Sequence, residues 1–250
     1  MRNREITNRR RLHETTREME AARAHYRGKI IPKPALWVMD AETARLAASN
    51  LASRALKAGD AAPDFLLPDA HGNPVRLYSL LRDRQHVAVV FYRGGWCPYC
   101  NLHLRGFQRR LPELRDLGAQ IVAISPQLPD NSLSTQEKNE LAFPVLSDVG
   151  NNVARQFGIV FELSDDLVEL YRKFGHPLDE ANGEGGKGEL PVPGTFLIDG
   201  NGTIRLAHVD VDYTRRLDPD DVIKTLKELN GAGAAGRTTP ERIIKNRQTT

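Results

Sequence analysis

Val87-Ala-Val-Val-Phe-Tyr-Arg-Gly-Gly-Trp-Cys-Pro-Tyr-Cys100 carries three structural signals in one short stretch. With His86 it begins as an unbroken apolar run rich in Val, which predicts a strand over His86–Tyr92 buried on both faces. Arg93-Gly-Gly95 then makes a turn. Pro98 opens a helix expected to reach Leu117, because proline's missing N–H costs nothing at the first helical position. Cys97 falls on the N-cap, where the backbone N–H groups of Tyr99 and Cys100 can donate to its sulfur. Cys100 lies in the first turn, inside the positive end of the helix dipole. Both placements favour thiolate over thiol. A free cysteine of pKa near 8.5 is only about 3% ionised at pH 7, and lowering that pKa by about two units stabilises the thiolate by roughly 2.7 kcal/mol.

These are the chain's only two cysteines. As a structural disulfide they would close too short a loop to stabilise much. A zinc site needs four ligands; His103 extends the run to Cys-x-x-Cys-x-x-His, and no fourth residue has ligand spacing. Redox chemistry is the reading that uses the strand–turn–helix placement.

Working outward, helical spacing predicts helices over 9–27 and from Ala35 to Leu56, broken by Ile30-Ile-Pro-Lys-Pro34. Trp37 is expected in a core or an interface. Phe65-Leu-Leu and Val75-Arg-Leu flank a turn and predict a hairpin. Downstream, Gln120–Ser125 and Phe143–Leu146 read as strands. Ser134–Asn139, Val153–Phe157 and Asp166–Phe174 read as helices, and His176–Glu189 as a Gly-rich loop. Thr195–Ile198 and Thr203–Val209 are strands joined by the hairpin signal Asp199-Gly-Asn-Gly202. A last helix covers Pro219–Asn230. The expectation is an α/β fold with a central mixed sheet flanked by helices. It carries a helical extension over residues 1–56, a main domain over 57–230 and a flexible basic tail over 231–250.

Lys and Arg number 35 against 32 Asp and Glu, but the excess sits at the ends, with five arginines in residues 1–12. Residues 13–236 hold 26 basic and 30 acidic side chains. That balance argues against a nucleic-acid surface, which needs clustered cations. No apolar run approaches the roughly 20 residues of a membrane span. No apolar core follows the first arginines, so a cytoplasmic location is expected.

Phe91–Cys100 on its strand-to-helix turn resembles the active-site segment of the thioredoxin superfamily. More closely it resembles the peroxiredoxin-like branch of the alkyl hydroperoxide reductase/thiol-specific antioxidant group. Gly59-Asp-Ala-Ala-Pro-Asp-Phe65, Ser125-Pro-Gln, Pro144-Val-Leu-Ser-Asp148, Pro191-Val-Pro-Gly-Thr-Phe-Leu-Ile-Asp199 and His208-Val-Asp-Val-Asp-Tyr213 extend the likeness over about residues 57–230. It implies a thioredoxin-like fold and an antioxidant thiol peroxidase needing no cofactor. Hydroperoxide is reduced through a Cys97/Cys100 disulfide cycle, a thioredoxin- or glutathione-type donor supplies electrons, and a homodimer is conceivable. Two other functions use the same residues: a protein disulfide reductase, and a non-catalytic redox sensor or binding protein.

The sequence departs from the family's P-x-x-x-T-x-x-C pattern. With Cys100 on the peroxidatic cysteine, Arg93 takes the Pro position and Cys97 the Thr position, while the distal Arg falls on Pro193. The peroxiredoxin likeness makes Cys100 the nucleophile. The N-cap reading and the thioredoxin likeness make it Cys97, which we favour for disulfide substrates while peroxide stays open. Pro193, before Thr195, is expected to be cis and to face the CxxC. Arg93 is a candidate for the missing cation, and Trp96 and Thr195 are expected to support the site. His208, Asp210 and Asp212 would share one strand face, which reads as a polar sheet surface, with a metal site the less common meaning.

Overall fold

The computed structural model describes residues 13–82, 85–183 and 188–235. The basic ends and most of the glycine run 183–188 lie outside them. In chain order come α1 (Glu14–His25), a π-helical turn (Tyr26–Ile30), α2 (Lys33–Ala48), α3 (Leu51–Arg54), β1 (Leu66–Pro68) and β2 (Pro74–Arg76). Next are α4 (Leu77–Leu80), β3 (His86–Phe91), α5 (Pro98–Asp116), β4 (Ala119–Ser125), α6 (Pro129–Lys138), β5 (Val145–Ser147) and α7 (Asn152–Gln156). The chain ends with β6 (Val160–Glu162), α8 (Asp165–Lys173), α9 (Leu178–Asn182), β7 (Glu189–Pro191), β8 (Gly194–Ile198), β9 (Ile204–Val209) and α10 (Pro219–Ala235).

The main sheet runs in the order β5-β4-β3-β8-β9. β3 pairs parallel with β4 (Val89 opposite Val122) and antiparallel with β8 (Val89 opposite Phe196). Strand alternation divides β3 between two cores. Ala88 and Val90 pack with Leu104, Phe107 and Leu114 of α5 and Val222 and Leu226 of α10. Val87, Val89 and Phe91 pack with Phe157, Phe196 and Ile204 on the other face. The sheet is therefore covered on both sides, as its apolar central strand requires. β3 and β4 both end beside the turn that leads into α5, which places Cys97 and Cys100 at the C-terminal edge of the sheet.

Several boundaries move for physical reasons. The helix expected over Ala35–Leu56 divides at Asn50, which takes a left-handed conformation (φ 56°) and ends α2. α6 begins five residues early because Pro129 occupies its first turn. The loop expected over His176–Glu189 contains α9, which starts after Pro177. The last helix continues past Asn230 to Ala235, so the start of the expected flexible tail is helical. Trp37 is 74% exposed and belongs to no core. Asp210 and Asp212 follow β9 in a turn where their carboxylates accept backbone N–H groups of Asp212 and Thr214. The single strand face expected for His208, Asp210 and Asp212 is thus replaced by local side-chain-to-backbone bonding.

The N-terminal helices are docked on the sheet domain. Met19 of α1 joins the α5 core, and Thr16 donates through N and Oγ1 to Asp218 Oδ2, both at 2.8 Å. The α1–α5 approach depends on Gly106, where a Cβ would lie 2.4 Å from Thr15 Oγ1 and 3.1 Å from its Cβ. Gly106→Ala gains about 1 kcal/mol of helix propensity. Overpacking at this contact costs about 1–3 kcal/mol. The expected result is a lower Tm and faster proteolysis within residues 14–25, measured by thermal unfolding and limited digestion.

Candidate active site

Cys97 is the N-cap of α5, with Pro98 at the first helical position as the sequence predicts. Its surroundings differ from that expectation. The Cys97 side chain makes no capping hydrogen bond, and the sulfurs are buried: Cys97 is 1% exposed and Cys100 0%. Both are free thiols.

Two glycines let the preceding turn lie flat. Gly94 has φ 152°, and a Cβ there would meet Trp96 Nε1 at 2.3 Å. A Cβ on Gly95 would meet Thr135 Oγ1 at 2.2 Å. Gly95 N donates to Gln127 Oε1 (2.7 Å), and Asn101 Nδ2 donates to the Gly95 carbonyl (2.8 Å). The turn is held at both of its polar groups.

Arg93 points inward and is only 3% exposed. Its guanidinium lies 4.4 Å from the ring centre of Tyr213, 4.8 Å from Trp96 and 5.3 Å from Tyr171. Nη2 donates to the Tyr171 hydroxyl, and Nε has no hydrogen-bond partner among the described residues. A buried cation in an aromatic cage still needs compensating negative charge, and Cys97 lines the same cavity as Arg93.

A second arginine completes the site. Arg216 Nη2 lies 3.5 Å from Cys100 Sγ, while Nη1 donates to the carbonyls of Tyr213 and Arg215. Burial alone would push Cys100 up. A hydrogen bond from Cys97, the charges of Arg216 and Arg93, and a hydrogen bond from the Arg93 backbone outweigh it and hold Cys100 well below the ordinary thiol range. Burial first, and then the adjoining Cys100, push Cys97 well above that range. The arrangement favours thiolate on Cys100 and a protonated thiol on Cys97, the reverse of the N-cap expectation.

The other expected residues separate. Trp96 stacks on His176 (centroids 5.5 Å apart, planes at 27°) and lies 5.0 Å from Tyr171, beside Cys97. Burial holds the His176 imidazole below its ordinary pKa, favouring the neutral ring. Thr195 is buried in β8, opposite Val90 and His208. The Val192–Pro193 peptide is trans, not cis. The chain passes extended from β7 into β8, with Val192 N bonded to the Ile159 carbonyl (2.7 Å), so no tight turn demands the cis form. Pro193 lines a small crevice with Arg93, Tyr171 and Tyr213 that reaches neither cysteine. His103 Nε2 lies 2.8 Å from the Leu217 carbonyl, and burial drives its pKa down to about 3.

The sequence alone singles out neither Arg216 nor Tyr171, while Tyr213 enters only as the end of the His208–Tyr213 motif and Met39 only within the helix expected from Ala35. Arg216 is 116 residues from Cys100 and reaches it only because the segment after β9 folds back over α5.

A cavity of about 490 Å³ opens onto Cys97, between the aromatic cage and the N-terminal segment. Beyond Trp96 and His176 lies a second, more polar cleft of about 460 Å³, bordered by Gln127, Thr135 and Lys138.

Residues 58–207 match the AhpC/TSA family. The chain belongs to that family. It is 33% identical over 173 residues to peroxiredoxin Bcp of Escherichia coli, covering 69% of this chain and 97% of that protein. It is 26% identical over 175 residues to a chloroplastic peroxiredoxin Q of Sedum lineare, covering 68% and 78%. Among solved structures, peroxidoxin BcpB of Mycobacterium tuberculosis superposes with a TM-score of 0.54 at 26% identity, covering 70% of this chain and 98% of that one. The AhpC/TSA chain described here is thus a thioredoxin-fold peroxiredoxin, an enzyme of thiol-dependent hydroperoxide reduction. No helix among its described residues is long and apolar enough to cross a membrane.

Proposed function

We propose that Cys100 is the peroxide-reactive thiolate of this peroxiredoxin and Cys97 both its acid and its resolving thiol. The observation that carries this reading is Arg216 Nη2 at 3.5 Å from Cys100 Sγ. The thiolate is the nucleophile in such chemistry. Cys100 S⁻ attacks the terminal oxygen of ROOH; an S–O bond forms, the O–O bond breaks and alkoxide leaves. The Cys97 thiol, standing where the family pattern has a Thr hydroxyl, gives that alkoxide its proton and releases ROH. Cys97, now thiolate, attacks the Cys100 sulfenic sulfur; an S–S bond forms and hydroxide leaves, taking a solvent proton to become water.

N-cap and first-turn positions are close enough for the disulfide to close without unwinding α5. Burial of both sulfurs weighs against the disulfide-reductase alternative, since a protein disulfide needs an accessible sulfur whereas a hydroperoxide is small. The cycle is completed by a thioredoxin- or glutathione-type thiol donor, which a reducing cytoplasm would supply.

One equivalent of hydrogen peroxide should remove two thiols and yield a monomeric Cys97–Cys100 disulfide, read by thiol titration, intact mass and a non-reducing gel. With a dithiol donor, hydroperoxide consumption should continue past one equivalent. A covalent dimer as the main product, or no turnover, contradicts the proposal.

A further inference from the structure

The cavity over Cys97 is only partly a product of the family domain. Tyr26, Ile30, Ile31, Pro32 and Met39 form one wall, and all precede residue 58, where the family match begins. The wall is held against the active site. Tyr26 meets Tyr99, the residue between Pro98 and Cys100, edge to face at 5.8 Å, and the Tyr213 hydroxyl donates to Met39 Sδ at 3.4 Å. The π-helical turn Tyr26–Ile30 swings the chain from α1 across this opening, and such irregular turns occur frequently at functional sites.

The size and chemistry of the space point to its occupant. Hydrogen peroxide is little larger than water, whose share of liquid volume is about 30 Å³. The cavity holds about 490 Å³, within the roughly 300–1,000 Å³ of sites for drug-sized ligands. Its lining is aromatic and aliphatic apart from Cys97 itself, Arg93, already engaged with its aromatic cage, and a His176 ring held toward neutral. The rim is apolar as well, with Ile30 56% and Phe174 38% exposed. Among the described residues, no acidic side chain lines it.

We infer that the segment from Tyr26 to Met39 is a specificity wall that admits bulky, uncharged aryl or branched alkyl hydroperoxides and delivers them to the Cys97/Cys100 pair. This rests on the peroxidase reading above. The wall acts on the R group, by removing it from water; the O–O cleavage is the one already described.

Ile30→Asp tests it, because an exposed rim position tolerates the change and a carboxylate there opposes entry of an apolar group. For the full chain with a dithiol donor, the ratio of kcat/KM for cumene hydroperoxide to kcat/KM for hydrogen peroxide should fall about tenfold, the scale on which an apolar pocket discriminates. The change should appear in KM for cumene hydroperoxide more than in kcat. Ile30→Leu should restore the ratio. An equal loss for both peroxides, or an unchanged ratio, overturns the wall. Calorimetry with cumyl alcohol, the neutral product, separates this from failure of the peroxidase reading. If the wild-type chain turns over neither peroxide yet binds cumyl alcohol, and Ile30→Asp weakens that binding about tenfold, the wall stands alone. If wild type and variant bind it equally, or neither binds, the wall is refuted.

Discussion

Cys100→Ser is expected to slow the reaction of the reduced protein with hydrogen peroxide by about three orders of magnitude or more, the scale on which loss of a nucleophile registers. Cys97→Ser should behave differently. Its hydroxyl can still face the leaving oxygen, so one equivalent of peroxide should convert Cys100 to a sulfenic acid that persists for lack of a resolving thiol. Stopped-flow fluorescence gives the first rate, and intact mass after dimedone trapping identifies the second product. The pH dependence carries a sign. With the Cys100 pKa held low by cations, the wild-type rate should be flat through neutral pH and fall only on acidification. If Cys97 were the nucleophile, its raised pKa would make the rate climb with pH through the alkaline range. A fast Cys100→Ser and a silent Cys97→Ser would exchange the two roles.

The strand–turn–helix core of the site is legible in residues 86–117 because each signal there is local. An apolar run makes β3, two glycines permit the turn, and Pro98 starts α5. Local chemistry also gives the hairpin between β8 and β9, where Asp199 Oδ1 accepts the N–H groups of Asn201 and Thr203. The state of the sulfurs is not local. A helix N-terminus taken alone opens to water and activates its N-cap residue, which singles out Cys97. In the folded chain Met39 and Tyr26 from before the domain, with Tyr171 and Tyr213 from beyond α5, close over that end. Desolvation then opposes any thiolate that lacks a direct cation, and Arg216 supplies one to Cys100 alone at hydrogen-bonding range. Pro193 shows the same limit from the other side. Its position in the motif was readable, but the trans peptide follows from how β7 enters β8.

Arg93→Met is expected to slow peroxide reduction by about two orders of magnitude, the usual consequence of removing a preorganised charge from a developing oxyanion. Small-disulfide exchange should stay within a few-fold. Methionine keeps the apolar filling between Trp96, Tyr171 and Tyr213, so the cage need not collapse. What is lost is a buried positive charge that lines the same cavity as Cys97 and, among the described residues, forms no ion pair with a carboxylate. Arg216→Met removes the cation that touches Cys100 directly, and its signature should be distinct. The thiolate is destabilised, the Cys100 pKa rises, and the whole rate–pH curve moves to higher pH, so that part of the activity returns on alkalinisation. Ultraviolet thiolate absorbance reads that pKa independently of turnover, and Arg216→Lys should recover much of the shift because a point charge suffices there. Arg93→Lys should recover less, since an ammonium does not stack between rings as a guanidinium does. Both arginines also favour the reduced state, whose thiolate is their counter-ion, so each Met variant should have a more negative disulfide reduction potential than wild type. Equal loss of peroxide and disulfide reactivity in Arg93→Met would reduce Arg93 to a support for the turn. An unmoved thiolate pKa in Arg216→Met would remove Arg216 from the site and, with it, the reason for placing the nucleophile at Cys100.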